Sequence, residues 1–287
     1  MTGAIVVTGA TGTVGSELVR LLHAAGQPVR AAATDPEAAR TRLGPEVATV
    51  EFAFDRPANH AEALRGARAL FLMRPPQMAD ARAFAPTIDA ARDAGIERIA
   101  FLSLQGVERN AVVPHHRIER LVRESGVAWT FLRPSFFMQN LSGVHRDEIR
   151  LRDRVSVPAG RGRTAFVDAR DVAAVAAKTL TEPGHERQAY ELTGSEALDY
   201  AEVARILSEE LGRAIRYDRA SAIGFWLATR RAGHPAGFAT VMTALYTVAR
   251  LGLAARRSDT TRALLGRQPI TFQQFAHDHA PVWHRGP

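Results

Sequence analysis

The stretch SLQGVERNAVVPHHRIERLVRESG, residues 103–126, holds the side chains best suited to acid–base chemistry. His115 and Glu119 would lie one turn apart on a helix, so the carboxylate could orient the imidazole or raise its basicity. Histidine titrates near neutral pH and is a competent proton donor. We therefore expect catalysis from His115, in preference to His116, with Ser103 in contact with the substrate or cofactor. The alternatives are that the histidines only begin a helix and that Ser103 only caps a strand.

A second chemical motif is the glycine loop in VVTGATGTVGSELVRLL, near the start of the chain. Gly9, Gly12 and Gly15 follow an apolar strand pattern and open an amphipathic helix pattern. Glycines let the backbone approach a ligand closely, and the free amides of a helix N-terminus favour negative charge. The loop therefore predicts a pyrophosphate site and dinucleotide binding, the alternative being a tight turn with close helix–sheet packing.

The position expected to meet the cofactor's ribose, about 20 residues after the loop, is occupied by ATDPEAAR. Asp35 could select NAD, but Asp-Pro followed by glutamate is also the pattern of a helix N-terminus, and we interpret Asp35 as an N-cap. Thr34 would then meet the ribose, with Arg30 or Arg40 as partners of a 2′-phosphate. This interpretation favours NADP over NAD. Asp55, after VEFAF, is either an adenine contact or a loop acid.

The elements that position these residues have the spacing of βαβ units. Apolar runs such as AIVVTG, ALFLM and RIAFLS alternate with helical patterns such as ELVRLLHAAG. Parallel neighbouring strands need helical crossovers, so the pattern predicts an α/β fold with a doubly wound parallel Rossmann sheet. Gly26, Gly95 and Gly126 are placed to end helices in the left-handed conformation.

The second half of the chain predicts a smaller, mostly helical C-terminal lobe that would hold the substrate. We place the NAD(P)-binding Rossmann domain at residues 1–140, completed by about 165–192, and the smaller lobe at 193–287 with 141–164. AYELTG predicts one more strand and YAEVARILSEELG predicts a helix. We expect Asp171 to be the N-cap of the helix in RDVAAVAAKTL.

Composition excludes several classes of protein. The 287-residue chain contains no cysteine, so disulfides and thiolate metal sites are excluded, and we expect no metal. The net charge is +7, but the arginines are spread over many segments with only short pairs, so we expect no nucleic-acid binding. No run reaches the roughly 20 apolar residues of a membrane span, and the first residues lack a signal-peptide pattern. We therefore expect a cytoplasmic protein without membrane contact.

The ordered motifs TGATGTVG, ATDP, FLMRPP, IAFLSLQG, HHRIERLVRESGVAWTFLRPSFFMQNL, FVDARDVA and YELTGSEALDYAEVARILSEELGR resemble the NmrA-like branch of the atypical short-chain dehydrogenases/reductases, over nearly the whole chain. The resemblance implies an NAD(P)-binding fold. The branch includes quinone and azo reductases, natural-product tailoring enzymes and redox-sensing regulators. Carried over by motif, the implied cofactor contacts are Gly9, Thr11, Gly12, Thr13, Val14 and Gly15 at the diphosphate, Leu72 and Met73 at the ribose edge, Ser103 near the nicotinamide, and Pro134, Ser135 and Phe136 behind its ring.

The chain departs from the wider superfamily, which uses a Tyr-x-x-x-Lys pair as its proton donor. By comparison with that pattern, the lysine position falls on His115 and the tyrosine position on Ala111. The only lysine, Lys178, belongs to a late helix, and the branch commonly has arginine where Thr34 stands. The tyrosines all lie beyond the expected Rossmann core, at Tyr190, Tyr200, Tyr217 and Tyr246.

The missing pair limits the substrates that we expect. Reducing an isolated ketone produces a strongly basic alkoxide, which needs a positioned acid. Reducing a quinone or conjugated aromatic carbonyl leaves a phenolate-like anion, with a pKa of about 10 or lower by comparison with tyrosine. We expect hydride transfer from NADPH to a small aromatic or quinone-like substrate, with the proton from His115, from water or from the substrate's own phenol. The alternative is an NAD(P)-sensing regulator with little or no turnover.

Overall fold

The computed structural model describes residues 3–285. Its strands are β1 (Ala4–Thr8), β2 (Val29–Ala33), β3 (Ala48–Glu51), β4 (Ala67–Met73), β5 (Arg98–Leu102), β6 (Ala128–Pro134), β7 (Arg154–Val157), β8 (Gln188–Leu192) and β9 (Arg216–Arg219). Its helices are α1 (Thr13–Ala24), α2 (Pro36–Leu43), α3 (His60–Leu64), α4 (Ala85–Asp93), α5 (Pro114–Glu124), α6 (Gln139–Ser142), α7 (Arg146–Arg152), α8 (Ala169–Thr181), α9 (Tyr200–Leu211), α10 (Ala222–Arg231), α11 (Ala236–Arg250), α12 (Thr260–Leu265) and α13 (Phe272–Trp283). Short 3₁₀ turns cover Pro57–Asn59, Ala81–Phe84 and Val107–Arg109.

The chain divides into two units, each with its own core. The first unit comprises Met1–Pro134 and Ala169–Leu192, and the second comprises Ser135–Asp168 and Thr193–Pro287. The chain therefore leaves the first unit after β6 and returns to it for α8 and β8. The divisions fall at Pro134 and Ala169 rather than at the expected residues 140 and 165.

The first unit contains a seven-stranded sheet in the order β3-β2-β1-β4-β5-β6-β8, with every pair parallel. This arrangement confirms the predicted doubly wound Rossmann sheet. The direction of winding reverses between β1 and β4, where Val7 is aligned with Phe71. In sheets of this kind, ligands bind outside the carboxyl ends of the strands at that reversal.

The central strands of the first unit are buried on both faces, as expected for a parallel sheet covered by helices. Leu70 and Leu72 of β4 and Phe101 of β5 lie in one apolar cluster with Phe84 and Ile118 from the covering elements. Phe71, between the two leucines, is also fully buried and points to the opposite face. The apolar runs ALFLM and RIAFLS are therefore core strands that hold the polar residues at their ends.

The predicted ends of three helices in the first unit are confirmed, but one predicted helix start is not. Gly26, Gly95 and Gly126 lie just past α1, α4 and α5 with φ of 67°, 74° and 80°, which confirms the predicted left-handed terminations. The prediction that Asp171 caps α8 is wrong. That helix begins at Ala169, so Asp171 lies inside its first turn, where the helix dipole also favours an acid.

Strand β8 confirms the prediction from AYELTG, but it corrects the placement of one tyrosine. Tyr190 lies on β8, inside the Rossmann sheet, and not beyond it as expected. Its hydroxyl is hydrogen-bonded to Nδ1 of His185 at 2.9 Å, and Lys178, in the last turn of α8, pairs with Glu182 at 3.2 Å. Tyr190 and Lys178 therefore bind other residues and do not form a catalytic Tyr–Lys pair.

The second unit is mostly helical, built from α6, α7 and α9 to α13 around an aromatic core. Tyr200, Tyr246, Phe272, Phe275 and Trp283 are almost fully buried in it. Its two-stranded parallel sheet of β7 and β9 was not predicted, because each strand has only four residues and its partner lies far away in sequence. Among residues 3–285, no helix is both long and apolar enough to cross a membrane.

Candidate functional site

The sequence-predicted residues of the first unit gather where its parallel strands end. Each follows or ends a different strand, and the carboxyl ends of parallel strands lie at the same edge of a sheet. They are Gly9 after β1, Thr34 after β2, Asp55 beyond β3, Met73 at the end of β4, Ser103 after β5 and Pro134 at the end of β6.

The glycine loop needs two of its glycines for its own geometry. Gly9 has a φ of 61°, and a Cβ atom there would lie 2.5 Å from Sδ of Met73. A Cβ atom on Gly15 would lie 2.1 Å from the carbonyl oxygen of Gly9, so only glycine lets α1 pack this closely on the loop. Gly12 is less confined, since its Cβ would meet only that same oxygen, at 3.1 Å. The space beside Gly12 is thus the part of the loop that a ligand would require.

The first amides of α1 are available to an anion. Gly12 precedes the helix in an extended conformation, and no side chain of the described chain caps these amides. Thr11 is half-buried, Thr13 is exposed, and the Val14 side chain is buried, so Val14 can offer a ligand only its backbone. Uncapped amides at a helix N-terminus beside a glycine loop fit a pyrophosphate group.

The acid near the ribose position is a helix cap. Oδ1 of Asp35 accepts hydrogen bonds from the amides of Glu37 at 3.1 Å and Ala38 at 3.0 Å, which confirms the N-cap interpretation. Thr34 is exposed directly after β2. The carboxylate of Asp35 therefore caps α2, while the side chain of Thr34 beside it is exposed to solvent.

The two arginines considered as 2′-phosphate partners have other contacts. Nη1 of Arg30 donates to the carbonyl oxygens of Ala63 at 2.9 Å and Arg65 at 3.0 Å, so its assignment to the phosphate is wrong. Arg30 lies early in β2, and its side chain extends to the end of α3 rather than to the carboxyl edge. Nη2 of Arg40, which is exposed on α2, donates to Oγ1 of Thr49 on β3 at 3.3 Å.

The two residues expected at the ribose edge of β4 differ in which of their atoms a ligand could reach. The Leu72 side chain is fully buried in the core, so only its backbone could face a ligand, whereas Met73 is half-buried beside Gly9. The amide of Met73 donates to Oγ1 of Thr8 at 3.0 Å, and that hydroxyl donates to the carbonyl oxygen of Phe71 at 3.0 Å. Thr8, whose buried hydroxyl joins β1 to β4 at this edge, was not among the predicted site residues.

Ser103 belongs to a buried network that sequence analysis did not foresee. Its hydroxyl donates to Oε1 of Glu119 at 2.7 Å. The same carboxylate accepts two hydrogen bonds from Arg133, at 3.0 Å from Nε and 2.7 Å from Nη2, and one from Arg123 at 3.0 Å. Glu119 is only 2% exposed, so this carboxylate depends on its partners for charge compensation. The hydroxyl proton of Ser103 is committed to Glu119.

Arg133, on β6, holds the network together. Burial alone would lower the pKa of its guanidinium, but hydrogen bonding to Glu119 and the charges of Glu119 and Glu108 raise the pKa above its ordinary value. Nη1 of Arg133 also forms an ion pair with Glu108 at 3.2 Å. The signal available in the sequence was the arginine in TFLRP, a charge within an otherwise apolar strand pattern.

His115 does not pair with Glu119, and the prediction that the carboxylate would raise its basicity is wrong. Instead, Nε of Arg74 donates to Nε2 of His115 at 3.4 Å. Burial, and then the charge of Arg74, lower the pKa of His115 to about 3. Because Nε2 accepts, the neutral ring carries its proton on Nδ1, which has no hydrogen-bond partner among residues 3–285. His115 is therefore a neutral imidazole near pH 7 and not an imidazolium acid.

Arg74, from the motif FLMRPP, is a second residue that sequence analysis missed. Its Nη1 donates to the carbonyl oxygens of Pro75 at 3.1 Å and Pro76 at 3.2 Å, and also to that of Met78. These bonds anchor the guanidinium on its own loop, directly after β4. Arg74 thereby fixes the ring of His115, while Nδ1 of His116 binds the carbonyl oxygen of Val107 at 3.0 Å.

Pro134, Ser135 and Phe136 lie where the chain passes from one unit to the other. Pro134 is buried at the end of β6, and its carbonyl oxygen accepts from the amide of Gln105 at 2.9 Å. In the second unit, Ser135 is buried, with no hydrogen-bond partner for Oγ among the described residues. Phe136 is half-buried and packs against the core of that unit. Within the described part of the chain, no group of three or more potential ligands could hold a metal ion.

Comparisons with known proteins match this fold. A model described as the NmrA-like family matches residues 1–248. The NAD(P)H azoreductase of Xenophilus azovorans is 38% identical over 283 residues, covering 97% of this chain and 99% of that protein. An NADPH-dependent quinone oxidoreductase of Escherichia coli, solved with NADPH, is 25% identical with a TM-score of 0.85, covering 96% of this chain and 99% of the other. NmrA, a negative transcriptional regulator solved with NADP, shares the fold at 18% identity, with a TM-score of 0.78 and coverage of 98% and 96%.

Proposed function

The chain belongs to the NmrA-like family, and from that premise we propose that it is an NAD(P)H-dependent reductase of a small quinone-like or other aromatic acceptor. One observation carries the choice of acceptor. The two polar side chains best placed to give a proton are Ser103, whose hydroxyl donates to Glu119, and His115, which is neutral with a pKa of about 3. An acceptor that needs no strong side-chain acid suits such a site best.

The residues that would hold the cofactor lie along the carboxyl edge of the first unit. The amides of Thr13, Val14 and Gly15 would bind the diphosphate beside Gly12, and Thr34 would contact the ribose. When bound, the reduced nicotinamide supplies a hydride. We extend the proposal to NADPH over NADH, because Oδ1 of Asp35 already accepts from two amides of α2, which favours the exposed Thr34 as the residue that meets the ribose.

The chain's own contribution to the chemistry is positioning and hydrogen bonding. The hydroxyl of Ser103 donates a hydrogen bond to Glu119 and keeps its lone pairs, so its oxygen can accept a hydrogen bond at the end of β5. The neutral ring of His115 carries its proton on Nδ1, a buried atom without a hydrogen-bond partner among residues 3–285, so the ring contributes packing and position beside Arg74. A reduced quinone leaves as a phenolate-like anion with a pKa of about 10 or lower, so water or the substrate's own phenol can complete protonation.

The test is steady-state NADPH oxidation by the purified chain with a benzoquinone, an azo dye and an unactivated aliphatic ketone. We expect turnover with the quinone or the azo dye and none above the blank with the ketone. Calorimetric binding of NADPH is measured in parallel. Tight NADPH binding without turnover of any acceptor would instead indicate a regulator that senses the nucleotide, and preferred reduction of the ketone would contradict the proposed chemistry.

A further inference from the structure

The second unit exposes an apolar surface on α10, α11 and the turn that follows. We call this surface the α10–α11 face. The two helices pack against each other, and Nε1 of Trp226 on α10 donates to Oγ1 of Thr240 on α11 at 3.1 Å. The large apolar side chains exposed on this face are Ile223, Leu227, Val241, Leu245, Val248, Leu251 and Leu253. Ile223 is 74% exposed, and Leu251 and Leu253 are each 68% exposed, which is unusual for so many neighbouring apolar residues.

Helix α11 is apolar on its outer side as well as its inner side. Met242 and Tyr246 are buried in the core of the unit. On the outer side, Val241, Leu245 and Val248 follow one another at intervals of four and three residues, which places them on a single stripe. No charged residue occurs in α11 before Arg250. A helix that is apolar on all sides is normally surrounded by apolar groups, so we expect the outer stripe to bind a partner or a lipid surface.

The segment that forms this face is also the basic part of the chain. Residues 219–258 contain no aspartate or glutamate but six arginines, and thus carry +6 of the net charge of +7. The arginines are Arg219, Arg230, Arg231, Arg250, Arg256 and Arg257. The prediction from short arginine pairs alone overlooked this concentration, because the unusual feature is the missing acids. No carboxylate among residues 3–285 forms an ion pair with Arg230 or Arg231, at the end of α10.

The combination of charge and apolar surface selects among partners. A second copy bound face to face would bring two acid-free, arginine-bearing segments together, and like charges oppose such a symmetric interface. A nucleic acid would satisfy the arginines but not the exposed leucines, isoleucine and valines. An anionic bilayer surface satisfies both, since apolar side chains enter the headgroup boundary while guanidinium groups bind lipid phosphates.

We propose that the α10–α11 face docks the protein peripherally on an anionic lipid surface. The expectation of no membrane contact rested on the missing membrane span, and a helix lying in the interface needs none. Trp226, half-buried between the helices, has an indole of the kind that favours the interfacial region.

The test is cosedimentation of the full-length chain with vesicles of phosphatidylcholine alone or mixed with phosphatidylglycerol. We expect binding to the mixed vesicles, little binding to pure phosphatidylcholine, and a bound fraction that falls as salt rises. Ile223→Ser with Leu251→Ser should lower the partition coefficient at least tenfold. Leu151→Ser, at a 61% exposed leucine on α7, is the matched control and should not change it.

A second variant separates docking from folding. Arg230→Gln with Arg231→Gln removes no buried apolar group and should lower partitioning by roughly tenfold or more, at unchanged melting temperature. Equal binding to both vesicle types, or no binding to either, would overturn the proposal. So would a dimer in sedimentation velocity that Ile223→Ser with Leu251→Ser converts to a monomer, because a second copy would then cover the face.

Discussion

The glycine loop and the start of the stretch 103–126 lie at the same edge of one sheet, yet their residues are fixed by different kinds of contact. In the loop, Gly9 and Gly15 are required by backbone conformation and by the space beside a nearby backbone oxygen. In the stretch, the roles of Ser103, His115 and Glu119 are set by side chains from other elements. A site built from backbone can therefore be predicted from a short stretch of sequence. The acid–base role of a side chain cannot, because it depends on partners from distant parts of the chain.

The largest expected effect tests whether Glu119 belongs to a structural network. Glu119→Gln removes the charge that compensates Arg133 and should lower the free energy of unfolding by ~3–5 kcal/mol. Urea unfolding followed by circular dichroism measures the change. Glu124→Gln, on the same helix but exposed and 3.7 Å from Arg120, is the matched control and should cost under about 1 kcal/mol. Similar costs for both would mean that burial of Glu119 does not matter.

The next effect separates two glycines of the loop. Gly15→Ala forces a Cβ atom against the Gly9 carbonyl and should cost ~1–3 kcal/mol or more in unfolding free energy. Gly12→Ala should change stability by less than about 1 kcal/mol but raise the NADPH Kd at least about tenfold, because backbone approach is lost. Thermal unfolding and calorimetry provide the two readouts. If the Gly12 variant bound NADPH like wild type, the loop would not be the diphosphate site.

A smaller effect concerns the ribose end of the same backbone site. Thr34→Arg places a guanidinium beside the position proposed for a 2′-phosphate and should improve the preference for NADPH over NADH by roughly tenfold. The ratio of the two dissociation constants is the measurement, with Thr41→Arg, on the exposed side of α2, as the control. An unchanged ratio would place Thr34 away from the phosphate.

The smallest expected effect on catalysis is that of His115→Phe. Because the imidazole is already neutral, quinone reduction should fall far less than the roughly 10²–10⁴-fold typical of a lost general acid. The measurement is kcat at saturating NADPH, with the NADPH Kd determined separately. A loss within that range would restore His115 as the proton donor.

The same variant also has a pH signature with a definite sign. The pKa of His115 in the folded chain is about 3, below the ordinary value of 6.5. Between these two pH values the unfolded chain binds a proton at His115 that the folded chain does not bind. The wild type should therefore lose stability relative to His115→Phe as the pH falls from 6.5 toward 3, and show no such difference above 6.5. Melting temperatures of both proteins across that range would check the trend, and parallel curves would show that His115 titrates normally.

Short sequence patterns correctly predicted the features that depend on interactions between neighbouring residues. The strand and helix alternation, the left-handed glycines after α1, α4 and α5, and the Asp35 cap all follow from residues within a few positions of one another. The failures involve long-range partners. Arg30 contacts the end of α3, Tyr190 joins the sheet through β8, and Glu119 binds Arg133 on β6. No spacing rule within residues 103–126 could reveal that its carboxylate would turn to an arginine on the next strand.

The return of the chain to the first unit bears on how that unit forms during synthesis. Strand β8 pairs with β6, and Thr130 on β6 donates to the carbonyl oxygen of His185 just before β8. Arg68 and Arg98, on β4 and β5, donate to carbonyl oxygens at the end of α8. While the ribosome makes residues 135–168, the sheet therefore has an open edge at β6 and lacks a covering helix. The β6 edge can be paired only after residue 192 has left the exit tunnel, so the sheet is completed late in synthesis, and an unpaired edge strand is exposed until then.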